Sequence, residues 1–265
     1  MSFFEDPVYS WPSDFEMKLL ESRPLSASPT SYVDLYDEKY VLKTNLKAES
    51  GELDKEKLAH EINMMSLAGP DCALPIIGRH FIQGAVNGFI TRYEKCLTIG
   101  RGEGNLDPEV HKNRKEIIQK LAALIENLHS KGILHGDVKP SNLVLDDSGN
   151  LRFIDFAESV LESEPRPPKN RAMTTRYSSP SAINARYFLT RADDMYTAGM
   201  TMLHIYTGRL PFEDVDELVV GERIRQGLRP DLSVIDDEDI RSLIAKYLQA
   251  GEPNLGLSCP TKSSC

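Results

Sequence analysis

The first steady alternation of apolar and polar positions runs through Tyr32-Val33-Asp34-Leu35-Tyr36, and Tyr40-Val41-Leu42-Lys43 continues it beyond Asp37-Glu38-Lys39. Period-two patterning on both sides of a short polar turn predicts a hairpin. Residues 1–30 are rich in Ser and Pro and show no steady period, so no element is predicted there. Leu53 to Leu67 has a helical repeat, with Leu58, Ile62 and Met65 on one face and Gly69-Pro70 as the stop. Gly88 to Tyr93 reads as a further strand.

From Asp107 the pattern predicts one long helix. Asp107 is the N-cap, Pro108 takes the first helical position, and Val110, Ile117, Leu121, Leu124, Ile125 and Leu128 form the apolar face before Gly132 closes it. Asn142 to Leu145 and Leu151 to Ile154 flank the turn cluster Asp146-Asp147-Ser148-Gly149-Asn150, which predicts a short hairpin. Beyond about Asp193 the chain reads as mostly helical, broken at Gly208-Arg209-Leu210-Pro211 and Leu228-Arg229-Pro230. The change of pattern between Tyr93 and Gly104 separates a strand-rich front from a helical back.

With 265 residues and 40% hydrophobic content the chain can bury a sizeable core, which rules out wholesale disorder. Lys plus Arg number 31 against 40 Asp plus Glu, a net charge of −9 that disfavours generic electrostatic binding to nucleic acid. No apolar stretch approaches the roughly 18 residues of a membrane helix, and the acidic start MSFFEDPVYSWPSDFE is unlike a signal peptide. The expectation is a soluble intracellular protein, cytoplasmic or nuclear, with neither membrane nor nucleic acid as partner; its oligomeric state is left open. Cys72, Cys96, Cys259 and Cys265 lack paired metal-site spacing and read as reduced thiols.

The chemistry concentrates between residues 133 and 157. His135, Asp137, Lys139 and Asn142 share one loop after the long helix, and the hairpin returns Asp155 toward Asn142. Such an arrangement suits phosphoryl transfer: Asp155 and Asn142 supply hard oxygen ligands for Mg²⁺ on a nucleotide, and Asp137 orients a hydroxyl and accepts its proton. His135 reads as a packed, hydrogen-bonded histidine rather than a catalyst.

His135-Gly136-Asp137-Val138-Lys139-Pro140-Ser141-Asn142 and Asp155-Phe156-Ala157 resemble the catalytic and metal loops of the eukaryotic protein kinase family, His-Arg-Asp-Leu-x-x-x-Asn and Asp-Phe-Gly. Lys139-Pro140 is similar to the serine/threonine branch. Other motifs follow in order over roughly residues 26–250: Val41-Leu42-Lys43, Glu61 on the next helix, Tyr177 to Ser181, Asp194 to Gly199, and Tyr206 to Phe212. The resemblance implies an α+β, bilobal protein-kinase-like fold in a single domain over 1–265, with an N-lobe at about 14–92 and a C-lobe at about 93–265. It further implies that Lys43, paired with Glu61, anchors the ATP phosphates and that Lys139 contacts the transferred phosphate. Ser28, Ser31 and Val33 of the lid, with Arg92 and Tyr93 at the lobe junction, would complete the nucleotide site. Asp194 would brace the catalytic loop, and Thr174 would contact Asp137 and Lys139.

The chain departs from that pattern in several places. Ser26, Ser28 and Ser31 stand where the lid has glycines, which with Pro29 predicts a stiffer, bulkier lid. Gly136 replaces an Arg that pairs with a phosphorylated activation loop, and Ala157 replaces the Gly at which the metal loop swings. Ser181 replaces the Glu of a buried ion pair whose Arg is also missing, predicting a looser but not frustrated C-terminal lobe. Arg166, Lys169, Arg171 and Arg176, set against Glu158, Glu162 and Glu164, form a local basic stretch that reads first as a solvated mobile segment and, as the sharper alternative, as a docking surface for an acidic partner. The leading expectation is an ATP- and Mg²⁺-dependent kinase acting on Ser/Thr hydroxyls of protein substrates. The alternatives are a pseudokinase that acts as a binding scaffold and a small-molecule phosphotransferase of the aminoglycoside or choline kinase type, whose loops share His-Gly-Asp and Ile-Asp-Phe.

Overall fold

Asp37 and Glu38 both adopt positive φ, 54° and 48°, and the Lys39 N–H donates to the Tyr36 carbonyl at 3.0 Å. Two left-handed central residues make the tight turn whose twist matches a hairpin, so the predicted hairpin forms. The structure is a computed structural model describing residues 22–27, 31–45, 55–82, 85–99, 104–164, 174–183 and 188–252.

In chain order the front holds β1 (Ser22–Ala27), β2 (Ser31–Tyr36), β3 (Tyr40–Asn45), α1 (Lys55–Ala68), β4 (Ile76–Ile82) and β5 (Ala85–Arg92). The five strands form one antiparallel sheet in the order β1-β2-β3-β5-β4. Strand β1 falls where the sequence shows no period. It is a sheet edge, the place that tolerates Pro24, and its register shifts between Pro24 and Ser26. Leu58, Ile62 and Met65 of α1 are buried, as the helical repeat predicts.

The back holds β6 (Lys95–Cys96), α2 (Pro108–Lys112), α3 (Arg114–Ser130), β7 (Ile133–Leu134), β8 (Leu143–Leu145), β9 (Leu151–Phe153), β10 (Val160–Leu161), α4 (Arg191–Thr207), α5 (Glu217–Arg225) and α6 (Glu238–Ala250). The one long helix predicted from Asp107 is two. Asp107 does cap it, accepting from the Glu109 N–H at 2.9 Å, but Asn113 (φ −102°, ψ 17°) breaks the run before α3. The apolar period crosses the break unaltered because Val110 and Ile117 face the same core. Helix α4 is buried along most of its length and starts with a capping box between Thr190 and Asp193. Strands gathered in one lobe and helices in the other give the expected α+β, bilobal architecture.

The lobes are joined through the Gly69–Leu74 segment. The Phe153 N–H donates to the Cys72 carbonyl (2.8 Å), Leu74 donates back to Phe153 (3.0 Å), and the Lys131 ammonium reaches both Asp71 oxygens at 2.6 and 2.7 Å. No helix among the described residues is long and apolar enough to cross a membrane.

Candidate active site

The catalytic loop is shaped from beneath by Asp194 in the first turn of α4. Its fully buried carboxylate accepts from the backbone N–H groups of His135 (2.8 Å) and Gly136 (2.9 Å) and from the His129 ring at 2.9 Å. Burial pushes this carboxyl up, but the His129 hydrogen bond and the Gly136 N–H outweigh it and hold Asp194 below the usual carboxylate range. Thr201, two turns along α4, donates to the Val138 carbonyl at 2.8 Å. Asp194 therefore acts as the brace expected of it, and His129 is a member of the brace that the sequence reading does not single out.

His135 is fully buried between Phe153 and Phe156, with ring centroids 4.5 and 4.9 Å away. Its Nδ1 accepts from the Asp137 N–H, so the proton sits on Nε2 and is donated to the Ile154 carbonyl. Burial lowers its pKa, and the neutral ring is a structural strut between the two loops, as expected.

Above this strut lies a tight polar triangle. Asp137 Oδ1 accepts from the Thr174 hydroxyl at 2.8 Å, the Lys139 ammonium donates to the same hydroxyl at 2.8 Å, and Lys139 lies 3.0 Å from Asp137 Oδ2. Asn142 spends its amide N–H groups on Asp137, donating to the backbone carbonyl (2.8 Å) and to Oδ2 (3.0 Å). Its carbonyl oxygen is thus the end available to a cation. The Ile154 N–H donates to the Asn142 backbone carbonyl at 3.0 Å, which sets Asp155 beside Asn142. Asp155 has φ +60°, an uncommon conformation for a residue with a side chain and a local strain held at the site. Ala157 is not among the described residues with positive φ, so alanine fits there without strain in this conformation.

The front lobe contributes Lys43. On β3 it lies opposite Val33 of β2 and Phe89 of β5, and the neighbouring Gly88 lets the strands close up, since a Cβ there would lie 2.3 Å from the Lys43 carbonyl oxygen. The Lys43 ammonium is 2.6 Å from Glu61 Oε1 and 2.8 Å from Asp155 Oδ1. Burial works against this cation, but the two carboxylates outweigh it and hold Lys43 charged, well above the usual ammonium range. The same burial raises Glu61 to about 7, with Lys43 opposing and Asp155 adding to the rise. Burial also raises Asp155, yet the Lys43 charge and hydrogen bond win, and its carboxyl lies below the usual range.

The structure thus brings together Lys43, Glu61 and Asp155 in one cluster and Asp137, Lys139, Asn142 and Thr174 in an adjoining one. Ser31 pairs with Asn45 at the lid end of β2, and Ser28 lies outside the described residues. Arg92 and Tyr93 are exposed at the lobe junction, where Tyr93 N–H donates to the Lys39 carbonyl at 2.8 Å. Arg92 is three register positions from the Lys43 row, about 10 Å along the strand.

One expectation needs correcting. Arg176 is not part of a basic docking surface: it is buried, pairs with Glu217 at 2.5 Å, and donates to the carbonyls of Pro211, Phe212 and Val215. Arg166, Lys169 and Arg171 lie outside the described residues. This guanidinium ties the segment at 175–177 to residues 211–217, and Arg229 pairs with Glu252 at 2.5 Å.

A family described as protein kinase domain matches residues 32–251. CBL-interacting serine/threonine-protein kinase 26 of Arabidopsis thaliana is 27% identical over 199 residues, 69% of this chain and 45% of that protein. CBL-interacting protein kinase 10 of Oryza sativa subsp. japonica is 26% identical over 212 residues, 78% of this chain and 44% of that protein. Rhodopsin kinase GRK7 of Sus scrofa is 33% identical over 100 residues, 38% of this chain and 18% of that protein. The chain spans less than half the length of these curated relatives. A match over most of the sequence, together with two clusters in the order and geometry just described, means that this chain belongs to the protein kinase domain family.

Proposed function

We propose that the protein is an ATP- and Mg²⁺-dependent kinase that transfers the γ-phosphate to Ser or Thr hydroxyls of protein acceptors. The observation that carries this reading is the Asp137–Thr174–Lys139 triangle, in which a hydroxyl donates to a carboxylate while accepting from a lysine. An acceptor hydroxyl in the same relation would pass its proton to Asp137 as its oxygen bonds to the γ-phosphorus and the bond from that phosphorus to the β-phosphate oxygen breaks, ADP carrying away the electron pair, with Lys139 beside the phosphoryl oxygens. Lys43, fixed by Glu61, would hold the α- and β-phosphates, and Ser31, Val33, Arg92 and Tyr93 would line the nucleotide. Asp155 and the Asn142 carbonyl are hard oxygen donors that fit a divalent cation whose remaining ligands are water and phosphate. When bound, that cation would neutralise phosphate charge. The names of the relatives, serine/threonine-protein kinases among them, support a protein acceptor over a small molecule.

Thermal unfolding with and without millimolar ATP and Mg²⁺ tests the nucleotide site, because a ligand of the native state raises stability in proportion to RT ln(1 + [L]/Kd). A rise that Asp155→Asn largely removes is expected; no rise in the wild type favours a binding scaffold instead.

A further inference from the structure

Helix α1 carries two consecutive polar side chains that reach different lobes. Glu61 meets Lys43 of β3 at 2.6 Å, whereas His60 Nε2 donates to the Ser159 carbonyl at 2.8 Å, three residues beyond Phe156. Consecutive residues of an α-helix project about 100° apart. The two bonds together therefore fix the roll of α1 about its axis, and a roll that withdraws one side chain withdraws the other.

The acceptor is held rigidly by the back lobe. Ser159 is buried, its N–H donates to the Phe156 carbonyl at 3.1 Å, and its hydroxyl donates to the His135 carbonyl at 2.9 Å. The next residue, Val160, pairs with Leu134 in the β7–β10 ladder. At its C-terminal end α1 runs into Gly69–Leu74, which is fastened to the back lobe. His60 lies nine residues before Gly69, about 13 Å along the axis. A small swing about that end thus becomes a displacement at Glu61 large enough to break a hydrogen bond.

We propose that His60 is a positioning residue for phosphoryl transfer: by clamping α1 to Ser159 it keeps Glu61 on Lys43 and ties that contact to the segment carrying Asp155 and to the His135 strut. The proposal rests on the protein kinase reading, and His60 acts through Glu61 rather than by touching nucleotide or acceptor. An Nε2–H donates in both the neutral and the protonated ring, so the clamp is a geometric tie that does not depend on titration.

The test uses the full chain with His60→Ala and with His60→Gln, which retains an N–H donor. Hydrogen exchange gives a readout independent of activity. His60→Ala should speed exchange in α1 and in residues 157–161 together, roughly five- to tenfold for the loss of one hydrogen bond, leaving the amides of α4 unchanged. His60→Gln should recover most of that protection. In steady-state transfer, His60→Ala should lower kcat and raise the KM for ATP by a similar factor while the KM for a peptide acceptor stays put, and His60→Gln should lie near the wild type. Unchanged exchange in either segment overturns the clamp. Exchange that changes while kcat and the KM for ATP do not overturns the positioning role. A wild type that transfers no phosphate instead overturns the kinase reading and with it any role in transfer, and the exchange comparison still decides whether the clamp exists.

Discussion

The ammonium of Lys43 lies 2.8 Å from the carboxylate of Asp155, across 112 residues of sequence, so a cation of the front lobe holds the carboxylate that the back lobe offers to a metal. The same ammonium holds Glu61 at 2.6 Å. Removing it leaves two carboxylates facing each other without a counter-charge. Lys43→Met should cost about 2–3 kcal/mol in urea unfolding, below the range for a fully buried pair because the Asp155 side chain is 43% exposed. Transfer should fall at least about 100-fold. Glu61→Gln leaves Lys43 on Asp155 and should cost less on both counts.

Asp194 accepts three hydrogen bonds at a site with no exposure, two of them from backbone N–H groups of the catalytic loop. Asp194→Asn keeps the volume but turns one acceptor atom into a donor. A loss of about 2–4 kcal/mol in chemical denaturation is expected, with phosphate transfer falling as the loop bearing Asp137 loosens.

Tyr196 is fully buried, and its hydroxyl has no hydrogen-bond partner among the described residues. Burial accordingly pushes the phenol up to about 12. Tyr196→Phe removes an unsatisfied group at constant shape, and a gain of about 1 kcal/mol in stability is expected. The same ring limits its neighbour: a Cβ on Gly251 would lie 2.5 Å from the Tyr196 Cβ. Gly251→Ala should cost about 1–3 kcal/mol, and thermal melts of the two variants should shift in opposite directions.

Burial lowers the pKa of His204 from 6.5 to about 4, against the Gly104 carbonyl and Glu213, which pull it upward. Its neutral Nδ1 accepts from the Tyr177 hydroxyl at 2.7 Å. A depressed folded pKa gives stability that is present above 6.5 and lost as pH falls toward 4, about 2 kcal/mol of it between pH 7.5 and 5. Glu61 has the opposite sign, since its pKa rises from 4.5 to about 7 and its contribution is lost as pH rises through that range. Stability measured at pH 7.5 and pH 5 for the wild type and His204→Asn separates the two. The variant should gain on the wild type at the lower pH by about the amount attributed to His204.

The parts of this molecule that were legible in sequence are those whose chemistry demands fixed spacing along the backbone. Asp137, Lys139 and Asn142 share one loop, a three-residue ladder returns Asp155 to it, and Lys43 and Glu61 sit on successive elements. Thr174 and Asp194 have no such spacing, since their loop partners lie 37 and 58–59 residues away, and were legible only through the resemblance to kinase motifs. Strand β1 was hidden because an exposed edge strand containing Pro24 needs no apolar alternation. The break at Asn113 was hidden because the hydrophobic period continues through it. His60 and His129 leave no spacing signal, since one partner is a backbone carbonyl 99 residues away and the other a carboxylate 65 residues away. Arg176 reads as surface charge until the carbonyls that surround its guanidinium are in view.

Phosphate transfer from radiolabelled ATP with Mg²⁺ to a library of Ser- and Thr-containing peptides, wild type beside Asp137→Asn, tests the role of Asp137 as the accepting base most directly. Removing a positioned general base costs about 10²- to 10⁴-fold. The wild type should label the peptides and Asp137→Asn should be at least about 100-fold slower, with a KM for ATP that changes little. Equal rates in the two proteins, or no labelling by the wild type, would contradict it.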